Sequence, residues 1–485
     1  MKLDRVTQPM LRVLTLGLAG VCFVDTADAA DESDKRPNVI LVMADDQGWG
    51  ETGYAGHPRL KTPALDAMAA NGLRFNRFYA GSAVCSPTRA AVLTGRSPVR
   101  TGVPSHGFAL RHQEITLSQL LSDAGYQTAH FGKWHLNGLR GPGVPIFLED
   151  RFHPGRFGFQ LWLSVTNYFD RDPLLGRMGV VEDYEGDSSE VVVDEALKFL
   201  GSRVNKGRPF FTVIWYGTPH SPFKASSADV AAFEDLDQTS KHHYGELVAL
   251  DRSMASLRDG LRDLKIERET LLWYCSDNGG LPRIHPPTVG GLRGNKGTLY
   301  EGGLRVPGLM EWPGKIVPGQ TDYPACVMDI LPTVLELAGI QYSGTRILDG
   351  VSLTGLFEGA RSGQRQKAIG FRYKEGAAIV DNRWKILATK LRDKKSIALF
   401  DLESDPKEST NVAKKYPEQF SVLKQSLDEF VRSTDRSIAG KDYPSGRVDS
   451  DHPEPQFWNE RNDYRPYLDQ WQSRWQYADW LKKRR

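Results

Sequence analysis

Asn38-Val-Ile-Leu-Val-Met-Ala44, followed at once by Asp45-Asp46, is a continuous apolar run that ends in two carboxylates. An unbroken run of aliphatic residues is the pattern of a strand covered on both faces, since a strand with one wet side would alternate. Runs of the same kind recur at Thr128 to Phe131, Phe210 to Tyr216 and Thr270 to Cys275. Between them lie helical patterns at Pro63 to Asn71, Leu117 to Asp123, Ser188 to Leu200 and Tyr244 to Leu264. This alternation predicts an α/β fold, a large mostly parallel or mixed sheet sandwiched by helices. Ligands in such sheets gather beyond the carboxyl ends of the strands. Here Asp45-Asp46 closes the first run, His220 follows the Phe210 run and Asp277-Asn278 closes the Thr270 run, so the strand ends converge.

Outward from this body, expected over 36–366, the texture changes. From about Lys367 the apolar segments shorten to Ala368–Tyr373, Ala377–Val380, Trp384–Ala388 and Ile397–Asp401, with a helical pattern from Pro417 to Ser433. That predicts a smaller C-terminal α+β subdomain over 367–440, an antiparallel sheet plus a helix. The tail 441–485 is rich in charge and aromatic rings, and the spacing of Trp471, Trp475 and Tyr477 predicts a helix packed on the body. At the other end, Lys2, Arg5 and Arg12 precede the apolar run Val13 to Val24 and the small residues Ala27-Asp28-Ala29-Ala30. This is the pattern of a signal peptide over 1–30 on an exported, periplasmic or secreted protein. No apolar stretch is long enough to span a bilayer.

Lys and Arg number 62 against 60 Asp and Glu, a formal charge of +2, so no global field draws the chain to nucleic acid or anionic lipid. Recognition by charge has to be local. Of the four cysteines, Cys22 leaves with the signal, and Cys85, Cys275 and Cys326 remain. An odd number argues against a disulfide framework.

Two constellations carry chemistry. Cys85-Ser86-Pro87-Thr88-Arg89 opens a helical stretch through Leu93-Thr94-Gly95-Arg96, and a thiol at a loop-to-helix junction is expected to gain acidity from the helix N-terminus and nearby cations. Asp45, Asp46, Asp277 and Asn278 form a hard-oxygen set suited to Ca²⁺ or Mg²⁺, without the sulfur and imidazole that zinc favours.

The Cys-x-Pro-x-Arg sequence with Leu-Thr-Gly-Arg just beyond it resembles the signature of the formylglycine-dependent sulfatases, the type I arylsulfatase-like branch of the alkaline phosphatase superfamily. Further stretches agree in order: Asn38 to Tyr54, Thr62 to Gly72, Gly125 to His135, Ser276 to Gly279, and Arg293-Gly-Asn-Lys296 through Glu301-Gly-Gly-Leu-Arg305. The resemblance runs from about Arg36 to the end and thins between Leu136 and Gly186, where loops rich in Gly, Pro and Arg are the place to look for substrate selection.

The resemblance implies that Cys85 is oxidised to formylglycine by a formylglycine-generating or anaerobic sulfatase-maturating enzyme, which reads Pro87 and Arg89. It implies one Ca²⁺ held by Asp45, Asp46, Asp277, Asn278 and the modified Cys85. A hydroxyl of the aldehyde hydrate would attack sulfur in line. Arg89 and Lys133 would hold the hydrate, and Lys133, Lys296 and His220 would supply positive charge, His220 or Lys296 donating to the leaving oxygen. His135, with an ordinary pKa near neutrality, would be the base that releases sulfate. The expected substrate is a sulfated carbohydrate. Two other readings compete: a phosphate or phosphonate ester hydrolase of the same superfamily, and a catalytically dead sulfated-glycan-binding protein. His106, His112, His242 and His243 are further candidates for touching substrate, as are Arg140, Arg151, Arg156, Tyr168 and Arg171 in the loops.

Overall fold

The computed structural model describes residues 36–359 and 363–484, and the signal-peptide reading of 1–30 lies outside them. The apolar run Asn38–Ala44 is strand β1, buried at every position. It is followed by α1 (Pro63–Asn71), β2 (Leu73–Phe75), α2 (Cys85–Thr94), α3 (Leu117–Asp123) and β3 (Gln127–Lys133). Next come β4 (Leu161–Val165), β5 (Leu174–Arg177), β6 (Val180–Asp183), α4 (Ser188–Gly201), β7 (Phe210–Trp215), α5 (Gln238–Asp263), β8 (Thr270–Ser276), β9 (Gly308–Glu311) and β10 (Gly319–Thr321).

These strands form one ten-stranded sheet in the order β10-β2-β9-β8-β1-β7-β3-β4-β5-β6. The run β8-β1-β7-β3-β4 is parallel. Antiparallel partners flank it, β9 against β8 on one side and β5 against β4 on the other. The continuous apolar pattern of β1 now has its reason. Val39, Leu41 and Met43 enter one core with Ala90 and Leu93 of α2 and Leu117 and Leu121 of α3. Ile40, Val42 and Ala44 enter the core on the opposite face with α1, α4 and α5.

Among the boundaries that differ from the sequence expectation, the helix from Pro417 runs on to Ile438 rather than ending at Ser433, and two others have a visible cause. β3 runs on to Lys133 because Gly132 and Lys133 pair with Ser164 and Val165 of β4, a partner that an apolar run cannot reveal. α5 begins at Gln238, ahead of Tyr244, since the Asp237 carboxylate accepts from the Thr239 and Ser240 amides and starts the helix on polar residues. The start of α1 is capped from a distance: Asp251 of α5 accepts from the Ala64 and Leu65 amides at 3.0 and 2.9 Å, an arrangement worth about 1 kcal/mol.

Beyond the large sheet, β11 (Ile369–Tyr373), β12 (Gly376–Asp381), β13 (Trp384–Ala388) and β14 (Ile397–Asp401) make a separate antiparallel meander, packed on α6 (Pro417–Ile438). Its other face joins the main core through Ile369, Phe371, Ala378, Val380, Leu387 and Phe400. Arg36–Arg485 cluster as one compact unit. In the tail, α7 (Leu468–Trp471) and α8 (Trp475–Lys482) bury Trp471, Tyr477 and Leu481, with Trp458 and Tyr464, against Leu139, Val144, Phe147 and Leu174. Gln456–Phe457 pairs in parallel with Leu139–Arg140. No helix among the described residues is long and apolar enough to cross a membrane.

Candidate active site

Because β8, β1, β7 and β3 run parallel, their carboxyl ends open on one edge, and the residues just past those ends meet there. Asp45 and Asp46 follow β1, Asp277 and Asn278 follow β8, Lys133 ends β3 with His135 beyond it, and His220 follows β7. Cys85 is the first residue of α2, which enters from the side. Asp45, Cys85 and Asp277 offer ligand atoms within 4.8 Å of one another, as do Asp45, Asp46 and His220.

The backbone is bent to make this possible. Asp46 has φ 75° and His135 φ 54°, left-handed conformations that cost an ordinary residue roughly 1–3 kcal/mol and persist only where the surroundings impose them. Asp46 is held by its amide donating to Asp277 Oδ1 at 3.2 Å and by Asn278 Nδ2 donating to Asp46 Oδ1 at 2.7 Å.

The cations lie on the carboxylates. Lys133 Nζ is 2.5 Å from Asp45 Oδ2, and Lys296 Nζ is 2.6 Å from Asp46 Oδ2. Arg89 donates to Asp277 Oδ2 at 2.7 Å and to the Lys133 carbonyl at 3.1 Å, while its guanidinium lies over the Trp215 ring at 5.1 Å. Arg89 and Lys133, expected around the residue-85 hydrate, both lie against Asp277 and Asp45, the carboxylates that converge on residue 85. The cause is burial: Asp45, Asp46, Asp277, Arg89 and Lys133 are all at most 1 % exposed, and buried charges take the nearest opposite partner.

Protonation follows from the same enclosure. Burial would raise Asp45, but Lys133, His220 and Arg89 outweigh it and hold the carboxyl well below its usual range. Burial and the neighbouring Asp45 push Asp277 up to about 7, against the pull of Arg89. The thiol of Cys85 departs from the expected acidity. Burial pushes it up, and Lys133 and Lys296 offset that only in part, so position at a helix start does not yield a thiolate here. His135 also leaves neutrality: burial, Lys133 and Arg89 lower it well below its ordinary value, which keeps the ring unprotonated. Its Nδ1 is 3.4 Å from Cys85 Sγ, and its Nε2 is buried with no hydrogen-bond partner.

His220 is lowered to about 4, by burial first and then by Lys296. Its Nδ1 is 2.6 Å from the Ser221 carbonyl, a contact that is a hydrogen bond only when Nδ1 carries the proton, so Nε2 faces Asp46 Oδ2 at 3.8 Å. Tyr168 stacks on the ring at 4.5 Å. For Lys296, burial works against the charge, and Asp46, Cys85 and Asp45 outweigh it and hold the ammonium firmly protonated.

The support around the site was not legible in the sequence. His243 is buried and paired with Glu51, whose other oxygen accepts from the Gly48 amide at 2.6 Å, so this pair braces the Asp45 to Gly48 turn. Tyr274 donates to Gln47 Oε1 at 2.5 Å in the same turn. Of the other histidines weighed for substrate contact, His112 stacks on Phe152 at 4.3 Å and His242 accepts from the Ala225 amide at 3.2 Å. His106 and His112 are exposed, His242 is half-buried and His243 is buried.

Strand-end carboxylates, a residue-85 helix start and two lysines on one edge of a large mixed sheet can be compared with known proteins. The model described as Sulfatase matches residues 37–340, more than half of the chain. This chain belongs to the sulfatase family. As a sulfatase it is a sulfuric ester hydrolase. A second model, described as N-sulphoglucosamine sulphohydrolase, C-terminal, matches residues 294–434. The sulfatase is 32 % identical over 486 residues to arylsulfatase A of Homo sapiens, covering 85 % of this chain and 92 % of that one. It is 32 % identical over 385 residues to N-acetylgalactosamine-6-sulfatase of Canis lupus familiaris, covering 70 % and 68 %. Among solved structures it superposes on Ps i-CgsB in complex with k-i-k-neocarrahexaose, with TM-score 0.73, 25 % identity and coverage of 90 % and 98 %.

Proposed function

We propose that this sulfatase removes sulfate from a sulfated carbohydrate, with residue 85 acting after conversion to formylglycine and with one Ca²⁺ or Mg²⁺ held by Asp45, Asp46, Asp277 and Asn278. The observation that carries the reading is the convergence of Asp45, Cys85 and Asp277 within 4.8 Å. The donor set fits a hard cation on independent ground. Asp45 Oδ1 and Asn278 Oδ1 are buried oxygens without a hydrogen-bond partner, a costly state that an oxygen-seeking ion relieves.

When present, the cation and the aldehyde hydrate supply Lewis acidity and an easily ionised hydroxyl. The chain's own groups do the rest. Arg89 fixes the Asp277 carboxylate through one bond and anchors to the Lys133 carbonyl through another. Lys133 and Lys296 bring fixed positive charge to the sulfate oxygens, which gain charge as the ester bond breaks. His135, kept neutral and with Nδ1 toward residue 85, accepts a proton there. Lys296, held firmly protonated, donates a proton to the departing oxygen, while His220, neutral with its proton on Nδ1, turns an accepting Nε2 toward the site. The names of the relatives support a sugar substrate, one being an N-acetylgalactosamine-6-sulfatase and one holding a neocarrahexaose.

Cys85, Pro87 and Arg89 are all buried in the folded chain, so a maturating enzyme must read them before folding is complete. We read residues 1–30 as the export signal that sends the protein toward extracellular glycans.

Turnover of paired aryl sulfate and aryl phosphate substrates, together with the mass of the peptide containing residue 85, tests the reading. Preference for sulfate and an aldehyde at position 85 are expected. Preference for phosphate, or an intact thiol in the protein from its native host, would overturn it.

A further inference from the structure

The mouth of the site holds cations that the chemistry above does not use. Gly107 N donates to Ser86 Oγ at 3.0 Å, which ties the loop carrying His106 to the residue next to Cys85. The Arg140 side chain crosses this loop so closely that a Cβ on Gly107 would lie 2.6 Å from Arg140 Cγ, and its guanidinium reaches over the Phe108 ring at 5.9 Å. Gly107 also has φ 77°, so the crossing needs glycine on both counts. Arg140 Nε is buried without a hydrogen-bond partner.

A second unused cation comes from the C-terminal meander. Tyr373 pairs with Gly376, which leaves Lys374 and Glu375 as the turn between β11 and β12, and Lys374 is exposed there. A groove is lined by Gly297 and Thr298, next in sequence to Lys296, and by Tyr300, Tyr373, Lys374 and Lys390. Glu375 also lines it, yet among the described residues neither Arg140 nor Lys374 has a carboxylate within ion-pair distance. His106 feels both: partial burial lowers its pKa, and Arg140, Lys296, Lys133 and Lys374 push it in the same direction.

Two cations without counter-ions beside a site for an anionic ester call for a second negative charge on the ligand. We propose that Arg140, crossing the His106 loop, and Lys374, on the groove lined by Gly297 and Thr298, form a subsite for a second anionic group of the substrate, a sulfate or carboxylate on a sugar adjoining the one that carries the scissile sulfate. The inference rests on the sulfate-ester reading above and narrows it to multiply charged glycans. One cation is presented by the C-terminal meander, and the other sits on a body segment that the C-terminal tail braces. The tail segment Gln456–Phe457 braces Leu139–Arg140 by strand pairing, and the meander turn carries Lys374. Substrate choice is thereby set outside the strand ends that hold the reacting groups.

The test uses the full chain with Cys85→Ala, which binds without turning over. Calorimetry is run with three probes: an oligosaccharide with two sulfates, one with a sulfate and a uronate carboxylate, and a monosulfated counterpart. At least one doubly charged probe is expected to bind about tenfold tighter than the monosulfated one, the effect of one charge-assisted contact. Which of the two does so identifies the group held. Arg140→Ala and Lys374→Ala are each expected to remove most of that preference, and Arg140→Lys to restore part of it. Lys374 stands in an exposed turn, so its variant remains informative should Arg140→Ala fail to fold. Equal binding of all three probes, or a preference that both substitutions leave intact, would overturn the subsite. Aryl sulfate turnover by the unsubstituted mature enzyme is measured in parallel. Its absence would refute the sulfate-ester reading, whereas its presence beside equal probe binding would refute only the subsite.

Discussion

Arg89 and Asp277 form a fully buried ion pair, 2.7 Å between Nη2 and Oδ2 with both side chains at 0 % exposure. The signature helix is thereby bonded to the strand end that supplies half of the acidic cluster. Removing one partner of such a pair strands the other charge, at a cost of about 3–5 kcal/mol. Arg89→Ala is therefore expected to lower the thermal midpoint strongly in chelator, and added Ca²⁺ to recover part of the loss by replacing the missing positive charge. Unfolding of the variant with and without Ca²⁺ checks this; equal losses in both conditions would contradict it.

Cys85→Ala should abolish turnover, by about 10³-fold or more, with secondary structure and thermal midpoint close to those of the parent. Cys85→Ala removes only the sulfur atom, whose hydrogen-bond-distance partner among the described residues is His135 Nδ1 at 3.4 Å, so little packing is lost. Retained activity would rule out residue 85 as the nucleophile.

Chelation should lower both activity and the unfolding midpoint, and Ca²⁺ should restore them. A cation at about 100 times its dissociation constant stabilises the folded chain by about 2.7 kcal/mol. Asn278→Ala, which deletes one of the two unpartnered oxygens, is expected to shift the Ca²⁺ needed for half-recovery upward. An unchanged Ca²⁺ titration would place the ion elsewhere.

The pair Asp170 and Glu246 predicts a pH dependence of stability that does not involve the acidic cluster. Burial pushes Asp170 up to about 8, aided by Asp187 and opposed by the Arg171 amide and side chain, and it pushes Glu246 up further with Asp170 adding to it. A carboxyl raised in the folded state stabilises while it is protonated, so its contribution is full below pH 4 and is lost as pH rises toward 8. Asp170→Asn removes that penalty. Relative to the parent it should gain about 1 kcal/mol or more at pH 8 over its value at pH 5, read from urea unfolding at the two pH values. A constant offset between the two proteins would show that Asp170 ionises normally.

Conversion of residue 85 is expected to succeed on an unfolded peptide spanning Cys85 to Arg96 and to fail on the folded, unmodified chain, because α2 is buried along its whole length. Mass analysis after incubation with a maturating enzyme checks it. Efficient conversion of the folded protein would mean that α2 opens readily.

Much of this protein is written locally in its sequence. Asn38–Ala44, Pro63–Asn71, Leu117–Asp123 and Trp384–Ala388 are strands and helices at the positions their patterns predict, since apolar periodicity reports directly on which faces are buried. Asp45, Asp46, Asp277 and Asn278 stood out because chemistry gathers where parallel strands end, and strand ends are visible as the close of an apolar run.

Tertiary structure decided whatever depends on a partner distant in sequence. That β1 lies between β7 and β8, and that β9 and β5 reverse direction at its flanks, is a matter of pairing that no single segment encodes. The state of each site group was likewise settled by enclosure: burial denies Cys85 the acidity its helix position promised, and it turns Lys133, Lys296 and Arg89 onto carboxylates. Lys374 shares a groove with Gly297 and Thr298, next in sequence to Lys296, only because the meander folds back on the body. Residue type and spacing determine which groups are available; the low dielectric and fixed distances of the folded interior determine what charge each carries and which neighbour it answers to.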